Sequence, residues 1–294
     1  MSVEATNRKS FFKKIRGQDD GVKAEMSFID HLEVLRWHIM RAAIALFVAA
    51  ITIFVFIDWI FDNVIYAPAR ENFVTYSALC NLSHTLKLGD ALCMPPVKIP
   101  LLINTIGGSF SSAISICIMG GLIIAFPYLL WEVWRFIKPA LSPKELKYAW
   151  GSTFWISLCF FTGAAFGYFL LAPFTFNFLA SFKLGTLGSQ TYLPSLSDYI
   201  DTLVNIMLGC GIAFELPVIA YVLSKIGLIT PTYLRTYRKY AYIIILIVAG
   251  VITPSPDWTS QLIVGIPLIF LYEISIFISA RVHKKRIVEE KQWD

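Results

Sequence analysis

Six apolar stretches, at about residues 39–57, 110–131, 150–172, 203–224, 240–253 and 260–279, dominate this chain. A helix of ~20 apolar residues rising ~1.5 Å per residue crosses a ~30 Å hydrocarbon layer, and most of these stretches reach that length. If the chain weaves through six times, both termini face the same side. On that side fall all but four of its 25 basic residues, the exceptions being Arg70, Lys87, Lys98 and Lys183. Basic residues resist translocation, which puts both termini in the cytoplasm. The expectation is an all-α membrane protein of six transmembrane helices. Its fifth and sixth spans are short, and long outer loops follow the first and third.

Composition excludes the main rivals. At 56% hydrophobic and 15% charged over 294 residues, the chain is too apolar for a soluble domain. The stretches are apolar all round, whereas the helices of a soluble core would carry polar faces. A net charge of +5 arises in the inner loops and points to anionic lipid rather than nucleic acid. Residues 1–36 are charged throughout and hold no apolar run of the cleavable kind, so the first span reads as its own insertion signal. The simplest location is a bacterial inner membrane. Three regions follow: a basic N-terminal segment, 1–25, expected to be mobile; a six-span domain, 26–280; and a charged cytoplasmic tail, 281–294.

Several chemistries have no motif. There is no G-x-x-x-x-G-K-[ST] for a nucleotide and no G-x-S-x-G for a serine nucleophile. The four histidines, His31, His38, His84 and His283, read as lying outside the spans. No Cys/His cluster has metal-ligand spacing. The expectation is a protein that is not an enzyme and carries no cofactor or metal. Cys117, Cys159 and Cys210 fall in spans and read as packing residues. Cys80 and Cys93 share the first outer loop, where an oxidising exterior permits a disulfide.

Charge inside the apolar stretches is the sharpest anomaly. Glu215 lies ~21 Å along its helix from Asp201 and ~15 Å from Lys225, near mid-depth, where an ionisable side chain costs several kcal/mol unless paired, hydrated or protonated. Pro217 cannot donate to the carbonyl of Ala213, so a kink is expected beside it. Glu215 reads as a docking point for another helix or a proton-sensitive group, against an acid satisfied within its own bundle. Glu145 is the third helical position of a capping box, Ser142-Pro143-Lys144-Glu145, and that local role competes with one as an exposed carboxylate for an incoming cation. Asp257, at the outer start of the sixth span, suits a helix N-terminus. Glu273 lies near the inner rim, within reach of a basic residue. Asp30 and Glu33, just before the first span, read as solvated residues at a helix start.

At His31-Leu32-Glu33-Val34-Leu35-Arg36 the chain resembles the TatC family, the large membrane subunit of the twin-arginine protein translocase. The resemblance continues through Ala67-Pro68, Phe126-Pro127-Tyr128, Trp134 to Leu141, Glu145, Phe214-Glu215-Leu216-Pro217, Thr253-Pro254 to Asp257, and Gln261. It implies a cytoplasmic face that binds signal peptides carrying two adjacent arginines. One carboxylate comes from the H-L-x-E-L-R stretch and one from the first cytoplasmic loop, which Glu145 matches. The usual position of the first is Val34 in this chain, and Glu33 is its neighbour, ~100° around a helix. Either Glu33 covers the role, or Glu145 does with Asp30 or Glu132. Phe136 matches a position in the same site, and Pro68 an outer-loop position.

The resemblance further implies that Glu215, with Gln261, meets single-span partners of the TatA or TatB type. It gives structural or outer-face roles to Pro68, Pro127, Pro217 and Asp257, the proton-motive force as energy source, and a homo-oligomeric receptor complex exporting folded cargo. The alternative is a proton-coupled small-molecule secondary transporter using Glu215. It calls for an internal repeat and a second buried charge, and neither is legible in the sequence.

Overall fold

The computed structural model describes residues 28–291 apart from 71, 88, 91–92, 94–99, 138–142, 182–192 and 254–257. Asp257 and Ser142 lie outside the described residues, as do the 1–25 segment and the last three residues of the tail. The described residues are helical almost throughout. An isolated bridge between Leu102 and Ser195 is the extended pairing among them.

The long helices follow the apolar stretches but overrun them. They are α1 (Phe28–Val55), α2 (Val74–Thr85) in the first outer loop, α3 (Gly108–Ile137) and α4 (Pro143–Phe166). A π turn, Gly167–Leu171, leads from α4 into α5 (Ala172–Ser181). Then come α6 (Leu196–Ala213), α7 (Leu216–Ile226), α8 (Pro231–Thr236), α9 (Arg238–Ile252) and α10 (Trp258–Lys291). Five segments among the described residues are long and apolar enough to cross a membrane: Leu32–Val55, Gly108–Phe136, Thr153–Ser181, Leu196–Lys225 and Gln261–Lys284. The remaining stretch forms α9, whose 15 residues extend ~22 Å, short of a ~30 Å hydrocarbon core. The two ends of the bundle are named inner and outer after the charge distribution of the loops.

Sequence expectations and observed elements differ in four places, each for a local reason. Asp30 lies inside α1 rather than ahead of it. His38, expected outside the spans, falls within the apolar segment Leu32–Val55. The third span does not end at Pro173. It continues through the π turn to Ser181, and the Phe169 carbonyl in that turn accepts from the Thr75 hydroxyl of α2. Asp198, ahead of the fourth apolar stretch at 203–224, is already in the first turn of α6, where its N–H donates to the Ser195 hydroxyl at 3.1 Å in a standard N-cap.

Two cores hold the bundle. The outer one gathers Ile116, Phe176, Tyr199, Ile200 and Leu203 around the buried turn at Pro68 and Ala69. There the Tyr199 hydroxyl donates to the Ile65 carbonyl at 2.7 Å and that of Tyr168 to Val64 at 2.7 Å, so the first outer loop is clamped onto α4–α6. The Tyr76 hydroxyl of α2 donates to the Pro68 carbonyl at 3.3 Å, and burial raises its pKa above the ordinary phenol value. The second core packs Leu171, Ile206 and Cys210 against Ile245, Ala249, Val264 and Leu268 of α9 and α10. Helix α1 stands apart: it packs on α3 and leaves Ile39, Ile44, Phe47, Ile51 and Phe54 exposed, as a lipid-facing helix does.

Candidate functional site at the inner end

The inner end is assembled by the start of α1, the end of α3 and the start of α4. Helix α1 carries Glu33, Arg36 and His38 within about one and a half turns, and α3 carries Tyr128, Glu132 and Phe136 at four-residue spacing, hence on one face. His38 meets that face. His38 Nδ1 bonds Glu132 Oε2, with the side chains 12% and 2% exposed. The Tyr128 hydroxyl donates to Glu132 Oε1 at 2.9 Å. The Phe136 ring lies edge-on to His38, centroids 6.0 Å apart. Both carboxylate oxygens of Glu132 are therefore occupied, which is how a buried carboxylate is tolerated in an apolar bundle.

This network sets Glu132 apart from the other carboxylates the sequence left open. Glu132 is sequestered and would have to abandon His38 or Tyr128 to receive an arginine. Glu33 is exposed, one helical turn or so from His38. Glu145 lies in the first turn of α4, which begins six residues after α3 ends and so at the same end. The 94-residue separation of His38 and Glu132 leaves no spacing signal in the sequence, and a second buried carboxylate was not expected there.

Glu215 sits in a break of the fourth span. Helix α6 ends at Ala213 and α7 begins at Leu216, with Phe214 and Glu215 in a turn held by Glu215 N–H donating to the Ile212 carbonyl at 3.1 Å. Pro217, at the second position of α7, explains the break, since it has no N–H to carry α6 onward. The Glu215 side chain is 6% exposed and lies near the Phe160 backbone of α4. Among the described residues neither of its oxygens has a hydrogen-bond partner. Glycine makes this corner possible: a Cβ on Gly163 would stand 2.5 Å from the Cys210 carbonyl, and one on Gly211 would stand 2.6 Å from the Phe160 ring. The helices α4 and α6 thus touch backbone to ring immediately beside the break.

Gln261 connects α10 to α9. Its amide donates to the Leu246 carbonyl at 2.7 Å, passing over Gly250, where a Cβ would lie 3.3 Å away. At the inner end of the same pair, Arg238 Nη2 donates to Glu273 Oε2 at 2.9 Å and the Tyr242 hydroxyl to Glu273 Oε1 at 2.5 Å. Pairings 238 with 273 and 250 with 261 fit one antiparallel register. Glu273 was expected to reach a basic residue; the residue is Arg238, across the hairpin. Ser224 donates to Ser279 at 2.7 Å and joins α7 to α10 in the same inner half. Pro127 lies inside α3 one residue before Tyr128, and Pro68 is fully buried at the outer end. A cavity of about 960 Å³ beside Arg70, Phe73 and Tyr168 also lies at the outer end, away from Glu33.

In the outer loop, Cys80 and Cys93 are joined by a disulfide with Cα atoms 4.3 Å apart. The donor atoms of Cys80, His84, Asp90 and Cys93 also lie within 4.8 Å of one another, a grouping that the spacing in the sequence does not show.

An all-helical chain with several bilayer-length apolar helices, two separate buried carboxylates and a lipid-facing first helix is an integral membrane protein of the polytopic class. Comparison with known proteins narrows this. The family described as Sec-independent protein translocase protein (TatC) matches residues 30–267. The Sec-independent protein translocase protein TatC of Blattabacterium sp. subsp. Periplaneta americana (strain BPLAN) is 37% identical over 265 residues, covering 90% of this chain and 98% of the relative. That of Carboxydothermus hydrogenoformans is 30% identical over 269 residues, covering 91% and 98%. Two crystal structures described as the twin arginine translocase receptor TatC are similar. One has a TM-score of 0.63 at 31% identity over 85% of this chain and 97% of that one. The other, in DDM, has a TM-score of 0.67 at 30% identity over 85% and 99%. The chain belongs to the TatC family and is a component of a Sec-independent protein translocase.

Proposed function

We propose that this TatC chain is the receptor subunit that binds twin-arginine signal peptides at its inner, cytoplasmic face and assembles TatA- or TatB-type single-span partners. Driven by the proton-motive force, the complex exports folded proteins across a bacterial inner membrane. In this reading the chain crosses six times with both termini cytoplasmic, acts without catalysis, and associates with further copies of itself. The observation that carries the reading is the inner-end grouping. Exposed Glu33 on α1, Phe136 at the end of α3 and the α4 first-turn residue Glu145 belong to the same end of the bundle, while Glu132 is occupied by His38 and Tyr128. Guanidinium pairs with carboxylate through a two-pronged fork that ammonium cannot reproduce. At a lipid surface the effective dielectric is lower than in water, so such forks gain more than a solvent-exposed pair. Phe136 offers an apolar flank to the peptide.

Partner docking falls to the α6–α7 break and the α9–α10 hairpin. A buried carboxylate with two unpartnered oxygens at Glu215 calls for a donor from another helix. Gln261 lies on the neighbouring hairpin, although its amide already serves the Leu246 carbonyl. Pro68, Pro127 and Pro217 shape the frame around these points, and Asp257 is assigned to the outer start of α10.

The test is binding of a twin-arginine peptide to the purified protein in lipid. Glu145→Lys and Glu33→Lys should each weaken it by about 10- to 100-fold, the equivalent of one charge-assisted hydrogen-bonded pair. Replacing both peptide arginines by lysine should weaken it at least as much. Equal affinity for the lysine peptide ends the receptor reading.

A further inference from the structure

The convergence of Cys80, His84, Asp90 and Cys93 is independent of the signal-peptide reading and faces the other end of the molecule. Helix α2 sets Cys80 and His84 one turn apart on a common face. The chain then reverses: Leu86 N–H donates to the Leu82 carbonyl at 2.9 Å, and Lys87 and Gly89 take left-handed φ values of 57° and 62°. The Ser83 hydroxyl holds the returning strand through the Gly89 carbonyl at 2.6 Å. A last turn, Cys93 N–H to the Asp90 carbonyl at 3.0 Å, aims Asp90 and Cys93 back at α2. Glycine enters the left-handed region freely, whereas Lys87 does so at a cost that the turn sustains.

The three distances from His84 match edges of a zinc tetrahedron. Around zinc, ligand bonds of about 2.3 Å to sulfur and about 2.0–2.1 Å to nitrogen or oxygen give edges of about 3.6 Å for S···N and about 3.3 Å for N···O. His84 Nε2 lies 3.6 Å from Cys80 Sγ, 3.9 Å from Cys93 Sγ and 3.5 Å from Asp90 Oδ1. The two sulfurs are covalently bonded in the structure and would have to separate to about 3.8 Å around a metal. All four groups sit at the surface of the outer loop, with His84 59% and Asp90 86% exposed, so an ion can enter.

We propose that this cluster is a redox-gated site for a thiophilic divalent cation of the zinc type, closed by a disulfide when oxidised and by the metal when reduced. A dithiol hands two electrons and two protons to the Cys80–Cys93 bond and leaves as a disulfide, giving two thiols. Binding of Zn²⁺ releases those two protons, and two thiolates, the His84 imidazole and the Asp90 carboxylate complete four ligands. Thiolate and imidazole donors select zinc over calcium or magnesium, which favour all-oxygen sets. Either closure keeps the loop after α2 tied down. The loop therefore holds its form in an oxidising or a reducing exterior, and zinc protects the thiols from further oxidation.

The test uses tag-free full-length protein in detergent, reduced anaerobically and freed of reductant, with Co²⁺ as the probe. One equivalent should bind with a thiolate-to-cobalt charge-transfer band and tetrahedral visible bands, displaced by Zn²⁺. The oxidised protein should show neither. His84→Ala and Asp90→Asn, which leave the disulfide able to form, should each weaken Co²⁺ binding by tenfold or more. Cys80→Ser/Cys93→Ser should abolish it. A second measurement works in native membranes: after reduction, Zn²⁺ should slow alkylation of Cys80 and Cys93, read peptide by peptide, and His84→Ala should remove the protection. Reduced wild type that binds Co²⁺ no better than the double serine variant, or thiols that Zn²⁺ leaves equally reactive, overturns the proposal.

Discussion

Glu132 and Glu215 are both carboxylates buried in apolar helices, and the company each keeps separates them. Glu132 has a histidine and a tyrosine on its two oxygens; Glu215 has no hydrogen-bond partner on either among the described residues. Removing a partner from the first should be costly. His38→Ala is expected to lower the unfolding free energy of the detergent-solubilised protein by about 1.5–3 kcal/mol, the loss of a hydrogen bond to a charged group in a dry site. Tyr128→Phe should cost less, and thermal unfolding in a single detergent will rank the two. Glu215 should behave in the opposite sense. Glu215→Gln is expected to leave the isolated chain as stable or more so, because no hydrogen bond among the described residues is lost. The same variant should impair transport and crosslinking to single-span partners. A destabilised Glu215→Gln protein would show that the carboxylate serves its own bundle. At this scale the anomaly of Glu215 is legible in the sequence, since a lone acid in an apolar run stands out. Glu132 is not, because its burial depends on His38, 94 positions away.

At the scale of elements, prolines and glycines decide where helices stop and how closely they approach. Pro217 lies just past the end of α6, where its missing N–H cannot carry the helix onward. Pro173 does not end its span: a π turn precedes it, and there the Thr75 hydroxyl of another element donates to the Phe169 carbonyl. Thr75→Val should leave the Phe169 carbonyl without that donor and cost about 1–3 kcal/mol. Hydrogen exchange should locate the loosening at the α4–α5 π turn. The α4–α6 seam gives a sharper contrast. Gly163→Ala places a methyl 2.5 Å from the Cys210 carbonyl and should cost about 1–3 kcal/mol by overpacking. Gly107→Ala, with no atom within 4 Å of the new carbon, should change the melting temperature little. The Phe214-Glu215-Leu216-Pro217 run predicts a kink near the observed break. It does not predict that glycines on two helices allow a backbone-to-ring contact beside it.

Over the whole molecule, the α9–α10 hairpin sets the dimension. Arg238 with Glu273 and Gln261 with Leu246 lock a 15-residue helix against a much longer one, so neither can slide to span more lipid. The protein reconstituted in bilayers of graded acyl-chain length should be most stable in thin ones, falling off by fractions of a kcal/mol per Å of mismatch. Four residues inserted in α9 should break both locks and lower stability in every thickness. The sequence by itself determined the helical class, the placement of the apolar segments along the chain and the family, since hydropathy and charge act locally and the family markers lie in runs of adjacent residues. The tertiary structure alone decided which carboxylates are satisfied, where a proline stops a span and which outer-loop side chains converge on His84. Those outcomes depend on donors and packing surfaces that distant segments supply only once the bundle has closed.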